Sequence, residues 1–490
     1  MSTNKPIICI LAVDNNLGIA VETKDENGNI ISHTPWHIKE EMKMFKDQTL
    51  AVCDNKKKNA TILGRRSYDE IPKKFRPLAG RLNIVITSEQ REDTEDLKHF
   101  KSSQEALSYL NTRDDIENIF VCGGIQLYNE FCNSYKTNYI SLTRIHKDFG
   151  ANRIVNINFD NFDLTDKMAY DVIETNTKEN LTMTWEVYER KKNLEEMQYI
   201  NILKNILIKG HYRQTRNAYT YSLFGGNMKF DLSNNKFPLL TTKKMFLKGI
   251  FEELKFFLMG LTDTKVLENK GVNIWKGNTT REFLDSVNLN HLKEKDMGPL
   301  YGFQLCHYGA KYEGCDADYK SKGVNQFQNV LHLLKTDRFS RRIMMTTFNP
   351  AQIKEAPLPP CHGIAIQFGI ENDNKLCCHM YQRSADFFLG EPFNIASYAL
   401  LVFIVCELVN NDPEYKDVKL VPGKLYMAFG DMHVYEQHLK VVNEQILRKP
   451  YLFPKIEFKK KFTKIEELNL EDISILNYEC YPILKADMIV

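Results

Sequence analysis

The chain has almost no excess charge, no CxxC pair, no internal repeat and no low-complexity tract. A net charge of +2 over 490 residues gives no electrostatic footing for nucleic acid or a membrane surface. The local runs Lys56-Lys57-Lys58 and Lys459-Lys460-Lys461 read as solvated faces. Eleven cysteines without regular spacing form no zinc pattern and fit a reducing compartment. Cys377-Cys378-His379 looks metal-like, but neighbouring residues of a strand point to opposite faces and cannot share one ion, so no metal is expected. Met1 to Pro6 is short and polar, so no leader peptide is expected. The longest apolar stretch, around Ala399 to Val409, is too short to span a bilayer. Together these absences give the expectation of a cytoplasmic protein.

What is present is ordinary globular composition, 43% hydrophobic and 26% charged, on a chain long enough for roughly two to four domains. Up to about residue 190, strands and helices alternate. Strand candidates are Ile7 to Val13, Ala60 to Leu63, Asn83 to Thr87, Ile119 to Cys122, Tyr139 to Thr143 and Trp185 to Arg190. Ile38 to Phe45 has helical spacing, Ser103 can cap a helix running to Leu110, and Gln126 to Phe131 reads as another. This alternation predicts an open α/β sheet with mostly parallel pairing. A charged break at residues 189–193 follows. Then Met197, Ile200, Leu203, Ile206 and Leu207 recur at helical spacing, with Gly210 as the stop. We place a first domain at 1–190, a short linker at 191–196 and a second, α+β domain at 197–490, with a helix from Leu247 to Leu258 and strands at Ile364 to Ile370 and Lys375 to Tyr381.

The most informative segment is LPPCHG, Leu358 to Gly363, followed by YQRSADFFLGEPFNIASY, Tyr381 to Tyr398. Pro359 and Pro360 fix φ and present Cys361 from a stiff backbone. A thiol attacks as thiolate, and Arg383 is the kind of cationic neighbour that favours that form. With QTRNAYTYSLFG (214–225), FPLLTTKK (237–244), SRRIMM (340–345) and GDMHVY (430–435), these blocks resemble thymidylate synthase from about Met197 to Val490. The resemblance implies methylation of dUMP at C5 with 5,10-methylenetetrahydrofolate. Such chemistry needs a nucleophile at C6 and an acid–base group near O4, and the resemblance puts these roles on Cys361 and Glu253. The dUMP set falls on Arg216, Arg341, Arg342, Gln382, Arg383, Ser384, Asn394, His433 and Tyr435. Guanidinium forks suit a phosphate dianion, and a carboxamide at Asn394 matches O4 and N3–H of uracil, whereas an aspartate there would suit cytosine. Asp386 and Trp275 fall at the folate, with Tyr301 lining the cavity. The Arg341-Arg342 pair implies a homodimer through this domain, since in the family it reaches the partner's site. The chain departs from the family pattern at Leu247, Leu305, Cys306, Ala385 and in the tail LKADMIV, and none of these replaces a catalytic group.

Residues 7 to 190 resemble dihydrofolate reductase in AVDNNLGIA (12–20), TPWHIKEEMKMF (34–45), LGRRSY (63–68), PLAGRLNIVITS (77–88), FVCGGIQLY (120–128) and SLTRI (141–145). The implied reaction adds a proton at N5 and a hydride at C6 of dihydrofolate, with NADPH. The family's buried carboxylate falls on Glu41. Glu40 lies about 100° around the helix and cannot share its pocket, and the apolar neighbours Ile38, Met42 and Phe45 favour Glu41. Thr143 is the implied partner of that carboxylate, Trp36 and Phe45 would flank the pterin, and Arg81 would hold the α-carboxylate. Gly123-Gly124 would admit the pyrophosphate at a helix N-terminus. Gly64, Arg65, Arg66, Ser67, Thr87 and Ser88 match the loops that receive the 2′-phosphate. The polar segment between Ile19 and Thr34 reads as a flap.

Dihydrofolate, the product of the first reaction, is the substrate of the second. The pair resembles the bifunctional dihydrofolate reductase–thymidylate synthase family of protists and plants. Two other readings stay open on the residues alone: a dimeric scaffold whose sites are slowed by the departures, and dCMP-directed chemistry.

Overall fold

The computed structural model of the chain describes residues 5–24, 30–134, 136–215 and 218–489. It divides into two compact units between Lys191 and Lys192. In the first, Ile7–Val13 is an apolar run that forms a central strand of an eight-stranded sheet. The sheet order is Phe162–Ile173, Asn180–Arg190, Tyr139–Ile145, Ile7–Val13, Ile116–Val121, Lys58–Gly64, Arg81–Ile86, Leu97–Phe100. Every pairing from Tyr139–Ile145 to Leu97–Phe100 is parallel, and the other two are antiparallel. The expected mostly parallel α/β sheet is therefore present, with an antiparallel hairpin added at one edge. The inner strands are buried on both faces because helices Lys39–Leu50, Ser103–Asn111 and Ile125–Cys132 cover them.

Local chemistry adjusts several expectations. The helix cap is Ser102, one residue before the expected Ser103, because it is the Ser102 hydroxyl that accepts from Glu105 N at 3.2 Å. Ser103 instead donates to the Glu130 carboxylate. The predicted helix at Ile38 to Phe45 runs from Lys39 to Leu50 with Ile38 as its cap, and Met42 is 51% exposed, so the apolar support around Glu41 comes from elsewhere. Of the flap segment, residues 25–29 lie outside the described residues, and the rest forms part of a small antiparallel sheet, Gly18–Lys24 against Ile30–His33 and Arg153–Ile154.

In the second unit a helix begins at Leu194, capped by Asn193, whose side chain accepts from Glu196 N at 3.0 Å; it therefore takes up residues assigned above to a linker. It ends at Lys209. Gly210 follows at φ −66°, so glycine is needed there for space and not for a left-handed turn: a Cβ would lie 2.2 Å from Ile206 O. A six-stranded sheet, in the order His211–Gln214, Tyr219–Asp231, Val421–Tyr435, Lys375–Asp386, Ala365–Glu371, Met344–Met345, packs on helices Leu194–Lys209 and Gly390–Asn410, and helix Leu247–Leu258 packs on Gly390–Asn410. Gly390–Asn410, 21 residues, is longer than the apolar stretch in the sequence suggested. By length and composition it could cross a membrane, and most of it is buried inside the unit.

Glu196 ties the first helix of this unit to the TTKK loop. Both backbone N–H groups and both hydroxyls of Thr241 and Thr242 donate to its carboxylate, at 2.7–3.0 Å. Replacing Glu196 by Ala orphans buried donors, and we expect a loss of about 3–5 kcal/mol. Denaturant unfolding followed by fluorescence of Trp275, which is the single tryptophan after Lys191, measures it.

Candidate active sites

In the first unit, helix Lys39–Leu50 presents Glu41, Phe45 and Thr49 at i, i+4 and i+8, on one face. Glu41 sits in the first turn and is half-buried, while Glu40 is exposed. Burial pushes the Glu41 carboxyl up to about 7. At the far end of the face, the Thr49 hydroxyl donates to Phe45 O at 2.7 Å and accepts from Arg81 Nη1 at 2.6 Å. Arg81 is buried, its basicity lowered by desolvation, and no carboxylate lies within ion-pair distance among the described residues. Glu41 and Thr49, the residue that meets the Arg81 guanidinium, are thus about 12 Å apart along the helix axis, with the Phe45 ring between. That spacing suits a long ligand with a protonatable ring at one end and a carboxylate at the other.

Trp36 packs inward with Ile38 and Ile145, its ring 5.2 Å from Phe149. Thr143 is buried in the adjacent strand, opposite Trp185, and no hydrogen bond links it to Glu41. The glycines gather at the carboxyl ends of the parallel strands. Gly64 N donates to Gly123 O at 2.7 Å, and Gly123 has φ +121°. A Cβ on Gly124 would meet Ser67 Oγ at 2.8 Å, so glycine leaves this cradle open above helix Ile125–Cys132 without displacing that side chain. Around it stand Arg65, paired with Glu89 at 2.9 Å, exposed Arg66 with no ion pair among the described residues, buried Thr87 and exposed Ser88.

In the second unit, the Tyr301 hydroxyl accepts from Cys361 N at 2.9 Å, and the Tyr301 ring stacks on His362 at 4.5 Å and on Phe257 at 4.9 Å. Tyr301 holds φ +27°, an uncommon backbone for a non-glycine residue, fixed by those rings. Trp275 lies 5.7 Å from Tyr301, and its Nε1 donates to Glu253 Oε1 at 2.8 Å. Glu253, 9% exposed, is pushed up to about 7 by burial, against the pull of the Trp275 hydrogen bond. Arg383 Nη2 approaches Cys361 Sγ at 3.9 Å, its Nε donates to Pro360 O at 3.3 Å, and its backbone N donates to Cys361 O at 2.8 Å. Ser384 N reaches the same carbonyl at 3.4 Å.

Asn394, on the buried helix, donates through Nδ2 to Gln382 Oε1 at 3.1 Å, and Gln382 Nε2 donates to Ser384 O at 3.1 Å. His433 Nδ1 lies 2.8 Å from Asp431 Oδ1, with Tyr435 edge-on at 5.2 Å. Asp386 has one oxygen engaged by Phe388 N and Leu389 N, which caps the turn into the long helix. Arg341 and Arg342 are exposed and unpaired among the described residues. Arg342 borders an open groove of about 400 Å³ with Val324, Asn329 and Met344. Arg216 lies outside the described residues. The sequence reading missed Lys243 and the His362–Tyr398 hydrogen bond of 2.9 Å. Lys243 is buried, its amine lowered to about 7 by desolvation, and it donates to Phe388 O. Both lie inside quoted motifs, TTKK and PPCH.

Residues 197–490 match the family model for thymidylate synthase, and residues 7–190 that for dihydrofolate reductase. Proteins named bifunctional dihydrofolate reductase-thymidylate synthase are similar over nearly the whole chain. The Zea mays protein is 36% identical (93% of each chain), that of Leishmania major 36% (93% of this chain, 91% of its own), and that of Paramecium tetraurelia 35% over the full length of both. The chain belongs to the bifunctional dihydrofolate reductase–thymidylate synthase family.

As a member of that family the chain has both activities, methylation of dUMP with methylenetetrahydrofolate and NADPH-dependent reduction of dihydrofolate. The departures from the synthase pattern fall mainly in packing: Leu305, Cys306 and Ala385 are buried, and Leu247 opens the helix that carries Glu253. Glu253 has a folded-state pKa near 7, raised above the ordinary 4.5, so its contribution to stability is full below about pH 4.5 and is lost as pH climbs to about 7. Glu253→Gln removes that loss. At about pH 8 the variant should be more stable than the parent by up to roughly 3 kcal/mol, with the gap closing at about pH 5 in thermal melts. A constant gap would count against a desolvated acid.

Proposed function

We propose that Cys361 is the nucleophile that adds to C6 of dUMP, with Arg383 beside its sulfur favouring the thiolate. The observation that carries this is the continuous contact from Glu253 through Trp275 and Tyr301 to the Cys361 backbone, with a guanidinium 3.9 Å from Sγ. Glu253 holds a proton up to about pH 7 and can pass it to and from the base at O4 and C5. Arg216, Arg341, Arg342, Arg383 and Ser384 would receive the phosphate, His433 and Tyr435 the ribose hydroxyl, and Asn394, oriented by Gln382, the uracil edge. Asp386 and Trp275 would meet the folate. Because Arg341 and Arg342 carry charge with no partner among the described residues, we read them as completing the site of a second copy, which makes the enzyme a homodimer.

In the reductase unit, Glu41 would bind the pterin and supply the proton for N5, Phe45 would pack on the ring and Arg81 would pair with the α-carboxylate. Thr143, from the sheet, and Trp36, from the segment before helix Lys39–Leu50, would support that pocket. NADPH, when bound, supplies the hydride. Gly64, Gly123 and Gly124 leave room for its pyrophosphate, and Arg65, Arg66, Ser67, Thr87 and Ser88 suit its 2′-phosphate. Eleven cysteines, none in a disulfide among the described residues, support a reducing compartment such as the cytosol.

Cys361→Ala should lower dTMP formation at least about a thousandfold while leaving dihydrofolate reduction intact, and Glu41→Ala should do the reverse. Spectrophotometric assays of each half-reaction test both, and dTMP formation by Cys361→Ala would remove it as nucleophile. Reduction should fall as pH rises through about 7, where Glu41 loses its proton, and Glu41→Gln should flatten that limb. Mixing Cys361→Ala chains with Arg342→Ala chains, each inactive, should restore roughly a quarter of parental synthesis if arginines are exchanged across a dimer. No recovery after subunit exchange would contradict the shared site.

A further inference from the structure

Glu391 has no place in the chemistry described above, yet it is fully buried, and although neither carboxyl oxygen makes a close hydrogen bond, the Gln382 amide acts on it as a hydrogen-bond donor. It lies in the first turn of helix Gly390–Asn410, three residues before Asn394, so the two side chains share a helix face. The groups that act on it are Asp386 and Gln382 on the neighbouring strand, Tyr199 on helix Leu194–Lys209 and Tyr398 on its own helix. None is a cation. A buried carboxyl in that company is held as the neutral acid: burial pushes it well up, the Asp386 charge pushes it further, and the Gln382 amide opposes only in part. As an acid it is both donor and acceptor, beside an amide already bonded to Asn394 Nδ2 and to Ser384 O.

We propose that Glu391 is a positioning residue for base recognition: its carboxyl holds the Gln382 amide, which holds the Asn394 carboxamide in the orientation that meets the base. The proposal rests on reading Asn394 as the base contact. A carboxamide turned by 180° exchanges donor for acceptor, so this relay bears on the choice between uracil and cytosine more than on the rate of the chemical step.

The test compares Glu391→Leu, Glu391→Gln and Gln382→Leu in the full-length enzyme, with dUMP and dCMP as alternative ligands. Glu391→Leu should raise the KM for dUMP about tenfold and narrow the preference for dUMP over dCMP. Its melting temperature should hold or rise, since a buried acid without a close hydrogen bond has been replaced by a hydrocarbon. Glu391→Gln should restore the KM and the preference. The Glu391→Leu/Gln382→Leu double variant should be no worse than Gln382→Leu alone. Unchanged KM and preference in Glu391→Leu, or additive losses in the double variant, would overturn the relay. Glu391→Met, of similar length, takes the same assay if the leucine variant does not fold. Asn394→Ala separates the two readings: if it keeps the preference, Asn394 is not the base contact, whatever Glu391 does.

Discussion

The synthase unit depends on a helix that has no wet face. Gly390–Asn410 is mostly apolar and, although it carries Glu391, Asn394 and Glu407, has no exposed residue, so it needs protein on every side. The unit supplies it with strands Lys375–Asp386 and Val421–Tyr435 and helix Leu247–Leu258. The same composition would suit a membrane span, and burial inside the unit is what decides between the two environments. Once the helix is fixed, the elements packed on it are fixed as well. Asn394 and Tyr398 project from the helix, Gln382, Arg383, Ser384 and Asp386 from the strand beside it, and Glu253 from the second helix. The site residues come from rigid elements, and the loop that carries Cys361 is held to them by the Cys361 carbonyl and the Tyr301 hydroxyl.

Burial acts on the carboxylates of this chain in two ways, and the hydrogen-bond inventory separates them. Glu196 is as buried as any residue, but four donors from Thr241 and Thr242 occupy both oxygens. Its role ends in holding the loop. Glu253 has a single donor, Trp275 Nε1, and Glu41 has no hydrogen bond to the neighbour expected for it. With desolvation largely unopposed, both titrate near 7, where a carboxyl can give and take a proton at ordinary pH. In both units loss of solvent is the largest cause of the shift, and it raises the carboxyl towards neutral pH.

Much of this was legible in the sequence, for identifiable reasons. Apolar runs located the central strands from Ile7 to Val13 and Tyr139 to Thr143, because strands buried on both faces need hydrocarbon at nearly every position. The edge strand Phe162–Ile173 escaped, since it is exposed along most of its length and carries no such run. Met42 was assigned to the apolar setting of Glu41 by spacing alone and points to solvent, because helix Lys39–Leu50 buries little beyond Thr49. Contacts between distant residues left no local trace: Tyr301 with Cys361 lies 60 positions apart and Arg81 with Thr49 lies 32. Motif order gave the residue types but not these bonds.

The two sites also differ in how the backbone takes part. In the reductase unit, parallel strands end together, so Gly64, Thr87 and Gly123 arrive at one edge because the sheet is parallel, and the glycines leave the backbone bare there, as the proposed phosphate site needs. The synthase sheet pairs antiparallel except where Lys375–Asp386 meets Val421–Tyr435. That parallel pair sets Asp386 opposite His433 and Ser384 opposite Asp431, so the groups proposed above for the folate, the phosphate and the ribose leave the sheet within two residues of one another. An antiparallel partner there would have sent the two strand ends in opposite directions. The parallel pair does for the second site what the whole sheet does for the first: it lets distant stretches of sequence finish at the same place.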